Sequence, residues 1–203
     1  MNIGIIGSGH IGGTLTRLFR KAGHEVMVSN SRGPESLREF EEIGAKAGTV
    51  DQAARFGEVV ILAVPWRSPE ALPSVEAVAG KIVVDAMNPY GDQGTILDLG
   101  DSSSSEETAK RLPGARIVKA FNTIWFKHLG ENGRPDAPVD ERHAIFVASD
   151  DAEGKRLVMK LIEEIGFGPV DTGSLRDGKK QEPNTNLYNQ VITAAVGKKR
   201  ATG

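Results

Sequence analysis

The sequence contains no cysteine, which excludes disulfides, thiolate metal centres and cysteine nucleophiles. Its four histidines (His10, His24, His128 and His143) are scattered, and none falls in an H-E-x-x-H or similar spacing, so no metal site is expected. Positive charge is not in excess. The 25 Lys and Arg stand against 27 Asp and Glu, a balance that speaks against general nucleic-acid binding. No apolar run is long enough for a membrane span. The N-terminus enters a strand directly, without a basic region leading into a long apolar segment. The expectation is no signal peptide, no membrane partner and a cytoplasmic location.

The remaining composition, 39% hydrophobic and 26% charged, is that of a soluble globular protein. A chain of 203 residues can bury a sizeable core. No internal repeat or linker divides it, so residues 1–203 are expected to form a single domain. The pattern weakens after Gly173. Residues 174–203 are expected to be a less regular C-terminal portion, with a frayed tail from Gly197.

Apolar runs and helical periodicities alternate along the chain. Strands are expected over residues 3–6, 25–28, 45–48 (weak), 58–64, 81–86, 116–121, 143–148 and 169–172. Helices are expected over 11–22, 34–43, 51–56 with Asp51 as cap, 69–79, 125–129, a segment capped by Asp150 or Asp151 and running to 165, and 187–196. A capping box of Ser104 and Glu107 predicts a further helix to about Leu112. Residues 91–104 read as a loop, and 130–141 as an exposed, mobile one. This alternation predicts an α/β, Rossmann-type, doubly wound and mostly parallel sheet.

The most informative segment is the first. A short apolar strand leads into Gly7-Ser8-Gly9-His10-Ile11-Gly12, which fits G-x-G-x-x-G, and a helix follows. In that context the motif is a strong signal for dinucleotide binding. Gly7 allows the tight turn, Gly9 lets backbone approach a pyrophosphate, and Gly12 lets the helix lie close to the sheet. The second strand ends in Ser29-Asn30-Ser31-Arg32. An NAD-type site places a carboxylate there for the ribose 2′-hydroxyl. Two hydroxyls, an amide and a guanidinium would instead receive a 2′-phosphate, so NADP(H) is the expected cofactor.

In open α/β sheets ligands bind beyond the carboxyl ends of the strands. Those ends are the glycine loop, Ser29 to Arg32, Val64-Pro65-Trp66, Asn88-Pro89-Tyr90 and Asn122-Thr123. No acid, base or nucleophile stands out among them, and no catalytic residue is assigned. Asp85 reads as a structural carboxylate. His10 reads as a variable loop position, although it could donate to a phosphate or guard the nicotinamide side. Trp66 could stack on a ring or simply pack. Lys179-Lys180 reads as a solvated pair. Hydride transfer between two bound rings needs mainly alignment and exclusion of water, whereas a ketone or alcohol would more often want a proton donor.

The chain resembles the NADP oxidoreductases that depend on the deazaflavin coenzyme F420. The resemblance rests on Gly23-His24-Glu25-Val26, Ser29-Asn30-Ser31-Arg32, Ala63-Val64-Pro65-Trp66, Asp85-Ala86-Met87-Asn88-Pro89, Val118-Lys119-Ala120-Phe121-Asn122-Thr123 and Gly173-Ser174-Leu175. It implies extra strands at one sheet edge, a small C-terminal portion and hydride exchange with coenzyme F420 or a flavin beside the nicotinamide. The candidate cofactor-binding residues are then Gly7, Ser8, Gly9, His10, Ile11, Gly12, Ser29, Asn30, Ser31, Arg32, Ala63, Val64, Pro65, Asn88, Ala120 and Asn122. Trp66, Pro89, Tyr90 and Thr123 are the candidates on the substrate side. The substrate is expected to be a small molecule, and exposed edge elements make a homodimer plausible. Two other readings stay open: an NADPH-dependent reductase of another small molecule, and a non-catalytic NADP(H)-binding redox sensor.

Overall fold

The computed structural model describes residues 1–202; Gly203, the last residue of the expected tail, lies outside them. Strands β1 (Asn2–Ile6), β2 (Glu25–Ser29), β3 (Lys46–Ala47), β4 (Val59–Leu62), β5 (Ile82–Asp85), β6 (Arg116–Lys119), β7 (Ala144–Ala148) and β8 (Gly168–Gly173) form one sheet. Its order is β3-β2-β1-β4-β5-β6-β7-β8. The first six strands are parallel and carry the doubly wound dinucleotide-fold order. β7 runs antiparallel to β6 through the single pair Lys119 and Ala148, and β8 runs parallel to β7. These two are the extra edge strands.

The near-continuous apolar runs are explained by burial on both faces. Ile5, Ile61, Val84 and Val118 sit side by side across four strands and pack with Phe19 and Leu161 into one core. These two belong to α1 (His10–Lys21) and α7 (Ala152–Glu164). The alternate residues Val60, Leu62 and Val83 pack on the other face with Ala53, Val78 and Leu112. The next line across the sheet, Leu62, Asp85 and Lys119, carries two ionisable residues, both 0% exposed.

Several boundaries differ from the sequence expectation, each for a local reason. The helix expected over 34–43 is a 3-10 turn followed by α2 (Arg38–Glu41), because Leu37 leaves helical geometry as its side chain enters the core. Thr49 and Gln52, not Asp51, cap α3 (Val50–Phe56) in a capping box. Asp51 instead accepts from the Ser74 N–H and hydroxyl. The helix expected over 69–79 is interrupted before α4 (Val75–Val78), because Leu72 precedes Pro73 and is extended. The box that opens α5 (Ser104–Arg111) is Ser103 with Glu106, one residue earlier than expected.

The segment 130–141, expected to be mobile, begins with the end of α6 (Phe126–Glu131) and is then pinned. The Arg142 guanidinium donates to the carbonyls of Pro135, Ala137 and Glu163. The last helix is α8 (Ala194–Thr202), not 187–196, and it occupies most of the expected frayed tail. Gly197 lies against Ala144, Phe146 and Val170 of the edge strands. Among the described residues, no helix is long and apolar enough to cross a membrane.

Candidate functional site

The strand order reverses between β1 and β4, and the glycine loop lies at that switch point, where open α/β sheets bind ligands. Gly7 has φ 104°, and a Cβ there would run into the Ala63 carbonyl oxygen. At Gly12 it would run into the Gly7 carbonyl oxygen. Both glycines are therefore demanded by the fold. Gly9 is different, since a Cβ there would meet nothing within 4 Å. Gly9 is also the N-cap of α1, without a side-chain cap and with no acidic residue in the first turn. The helix N-terminus thus presents free N–H groups and a partial positive charge to open space, the arrangement that accepts phosphate.

A cavity opens on each side of this loop. The larger, of about 620 Å³, is lined by Gly7, Ser8, Gly9, Asn30, Ser31, Arg32, Ala63, Val64 and Pro65, with Val50 and Glu70 also on its wall. Asn30 braces it, donating to the hydroxyls of Ser8 and Ser36 and accepting the Arg32 N–H. The β2 terminus supplies no carboxylate; Glu70 comes from a separate 3-10 turn at Pro69–Ala71.

The smaller cavity, of about 200 Å³, is lined by His10, Ile11, Ala86, Asn88, Asn122, Trp125, Phe126, Tyr188 and Asn189, among others. Asn122 Nδ2 donates to Asn88 Oδ1 (3.0 Å) and to the Gln181 carbonyl (2.8 Å), and Asn88 Nδ2 donates back to the Asn122 carbonyl (2.9 Å). The Asn122 amide is thereby fixed, yet its buried Oδ1 has no partner. A buried acceptor of that kind is costly unless something supplies a donor. His10 stacks face to face on Phe126 with centroids 4.1 Å apart. The Tyr188 hydroxyl lies 3.0 Å from that of Tyr90. Burial, reinforced by the Tyr90 hydrogen bond, pushes the Tyr188 phenol well above its ordinary value, so it stays neutral.

Not every expected residue reaches a cavity. The Ser29 hydroxyl turns inward to the Ile5 carbonyl. Ala120 is packed in the core. Pro89 is buried, and its carbonyl accepts from Leu97. Tyr90 stands behind Tyr188, and Thr123 is buried with its hydroxyl unpartnered. Of the two readings open for Trp66, stacking on a ring or simple packing, the structure shows packing. Its indole is 6% exposed, donates to the Ser104 carbonyl and lies under the Arg111 guanidinium at 3.9 Å.

The tryptophan that does reach the cleft is Trp125, 44% exposed, beside Phe126 and Tyr188. Trp125, Tyr188 and Asn189 were not singled out for the site from the sequence. The only signal for Trp125 was its place two residues beyond Asn122-Thr123. Lys180 pairs with Asp177 at 2.9 Å, and Lys179 donates to the Gly100 carbonyl, so neither faces the cleft.

Sheet order, glycine loop and switch-point cavities define a Rossmann-type fold of the dinucleotide-binding class. Comparisons narrow the class. The family model for "NADP oxidoreductase coenzyme F420-dependent" matches residues 2–89. The F420-dependent NADP reductase of Methanothermobacter marburgensis is 30% identical, with 97% of each chain covered. The chain belongs to this family of NADP-dependent oxidoreductases. Metalloreductase STEAP3 of Rattus norvegicus is also 30% identical over 89% of the chain, which spans 35% of that protein's length. The crystal structure of a hypothetical protein from Sinorhizobium meliloti superposes with a TM-score of 0.81 at 33% identity, covering 95% of both chains.

Proposed function

We propose that the chain exchanges hydride between NADP(H) and a deazaflavin or flavin-like acceptor. The observation that carries this reading is the pair of cavities flanking the glycine loop: one ends in Ser31 and Arg32, the other in a small chamber walled by amides and aromatic rings. NADP(H), when bound, supplies the hydride. The chain's own contribution is placement. The free N–H groups of α1 receive the pyrophosphate, and Gly9 leaves room for it. Ser31 and Arg32 take the 2′-phosphate through charge-assisted hydrogen bonds. Asn88 and Asn122 wall the chamber that would take the nicotinamide, and Trp125 offers a face to the acceptor ring at the cavity rim.

Amides, rings and apolar side chains line the smaller cavity, and its ionisable groups are His10 and Tyr188. Walls of this kind suit transfer between two held rings, in which alignment and exclusion of water do most of what the protein must do; His10 and Tyr188 are the groups that would serve a carbonyl substrate as proton donors instead. The acceptor named for the Methanothermobacter relative agrees with that chemistry. The test follows NADPH absorbance with coenzyme F420, a free flavin, a quinone and small carbonyl compounds offered in turn. Steady turnover with the deazaflavin is expected. Turnover only with small carbonyl compounds would make the chain a different reductase. Tight NADPH binding without turnover on any acceptor would make it a redox sensor.

A further inference from the structure

Lys119 lies outside the cofactor path but is bonded to the turn that shapes it. β5 and β6 place Asp85 and Lys119 side by side, and both are 0% exposed. Lys119 Nζ donates to the Met87 carbonyl (3.2 Å), Ser104 Oγ (3.0 Å) and Ser105 Oγ (3.1 Å). Three acceptors match the three donors of an ammonium. Ser105 Oγ donates in turn to Asp85 Oδ2 (2.7 Å), and Asp85 Oδ1 accepts the Met87 N–H (2.9 Å).

Burying two such groups is costly, and an apolar pair of similar volume would often hold a sheet as well or better. Stability alone therefore does not account for these residue types. What the network does fix is Met87, gripped at its N–H by Asp85 and at its carbonyl by Lys119. The next residue is Asn88, one half of the amide pair that leaves Asn122 Oδ1 unpartnered.

We propose that Lys119 and Asp85 are positioning residues: through Met87 they set Asn88, and through Asn88 they fix the Asn88–Asn122 amide pair that lines the smaller cavity, where a nicotinamide would lie. The proposal rests on the NADP(H) reading above.

The test compares two probes by calorimetry: NADPH, and 2′-phospho-ADP-ribose, which has the same phosphates but no nicotinamide. Lys119→Met would leave Asp85 uncompensated and could fail to fold, so Ser105→Ala, which cuts the bridge between the two buried groups, carries the experiment. It should weaken NADPH about three- to tenfold, and Asn122→Ala, which removes the far half of the amide pair from the cavity wall, about tenfold. Both should leave 2′-phospho-ADP-ribose unchanged. In the double variant the Ser105 effect should disappear, because the residue it acts through is gone.

Equal losses on both probes, no loss on NADPH, or additive losses in the double variant would overturn the positioning role while leaving the cofactor reading intact. Failure of the unsubstituted protein to bind either probe would overturn the cofactor reading itself, and this proposal with it.

Discussion

Arg116 and Asp151 are joined at two points, Nε to Oδ2 at 2.6 Å and Nη2 to Oδ1 at 3.0 Å. Arg116 opens β6, and Asp151 is the N-cap of α7, accepting from the N–H groups of Glu153 and Gly154. The pair therefore ties the start of β6 to the start of the helix that packs against it.

The Arg116 guanidinium holds the Asp151 carboxyl below its ordinary value of 3.8. A depressed carboxylate stabilises the fold above its unfolded value and ceases to do so as pH falls through its folded value. In urea unfolding the unsubstituted protein should therefore exceed Asp151→Asn at pH 7, and the difference should shrink as pH drops below about 4. Asn still caps a helix well, so this variant isolates the ion pair. Asp151→Ala also removes the cap and should cost about 1 kcal/mol more. A pH-independent difference between the protein and Asp151→Asn would show that the pair does not contribute.

The glycine loop separates demands of the fold from demands of a ligand. Gly12→Ala forces a Cβ onto the Gly7 carbonyl oxygen and should lower stability by about 2 kcal/mol or more, as overpacking against backbone does. Gly9 has ordinary φ (−70°) and open space in front of it. Gly9→Ala should leave the melting temperature within about 2 °C, in the range of neutral substitutions, yet weaken NADPH about tenfold or more by intruding on the pyrophosphate. Unchanged NADPH affinity in a well-folded Gly9→Ala would move the pyrophosphate away from this loop.

The central strands and the glycine loop were legible in the sequence because each has a one-dimensional signature. Buried parallel strands read as unbroken apolar runs, and the loop reads as spaced glycines between a strand and a helix. What was missed depends on contacts distant in sequence. Ser103 to Ser105 followed by Glu106 and Glu107 allow two capping registers. The choice coincides with partners elsewhere: Ser103 donates to Leu175, Ser104 N–H donates to Glu182, and Ser105 donates to Asp85. α8 escaped notice because the residues it buries are as small as Ala194 and Gly197, giving no bulky apolar period. Tyr188 and Asn189 reach the cleft from an irregular segment, where Asn189 N–H donates to the Thr123 carbonyl. No periodicity announces such a return. Lys119 falls inside the expected strand 116–121, and nothing in that run announces an ammonium that is 0% exposed.

Arg32 lines the larger cavity beside Ser31, and its N–H is held by Asn30 Oδ1 at 2.9 Å. If its guanidinium receives the 2′-phosphate, Arg32→Ala should weaken NADPH about ten- to a hundredfold, the value of a charge-assisted hydrogen bond. NADH lacks that phosphate and should be almost unaffected. Arg32→Lys should recover part of the loss, because an ammonium keeps the charge but not the planar fork. Titrating both dinucleotides into the three proteins decides the matter. Equal losses for NADPH and NADH would remove the 2′-phosphate from this position.

The two tryptophans should separate cleanly. Trp66 is a core residue, clamped by Arg111 above its ring and Ser104 at its indole N–H. Trp66→Ala should cost about 3 kcal/mol or more of stability through the cavity it leaves, with cofactor affinity in the folded fraction little changed. Trp125 is 44% exposed and lines the smaller cavity, edge-on to Phe126 and His128. Trp125→Ala should therefore leave the melting temperature within about 2 °C. If the indole stacks on the acceptor ring, the same variant should raise KM for that acceptor about tenfold, within the range of an aromatic contact, while the NADPH Kd stays fixed. Thermal melts, NADPH titrations and acceptor saturation curves on the two variants measure all of this. A large loss of stability in Trp125→Ala with unchanged KM would make it a packing residue and leave the acceptor ring without a platform at this rim.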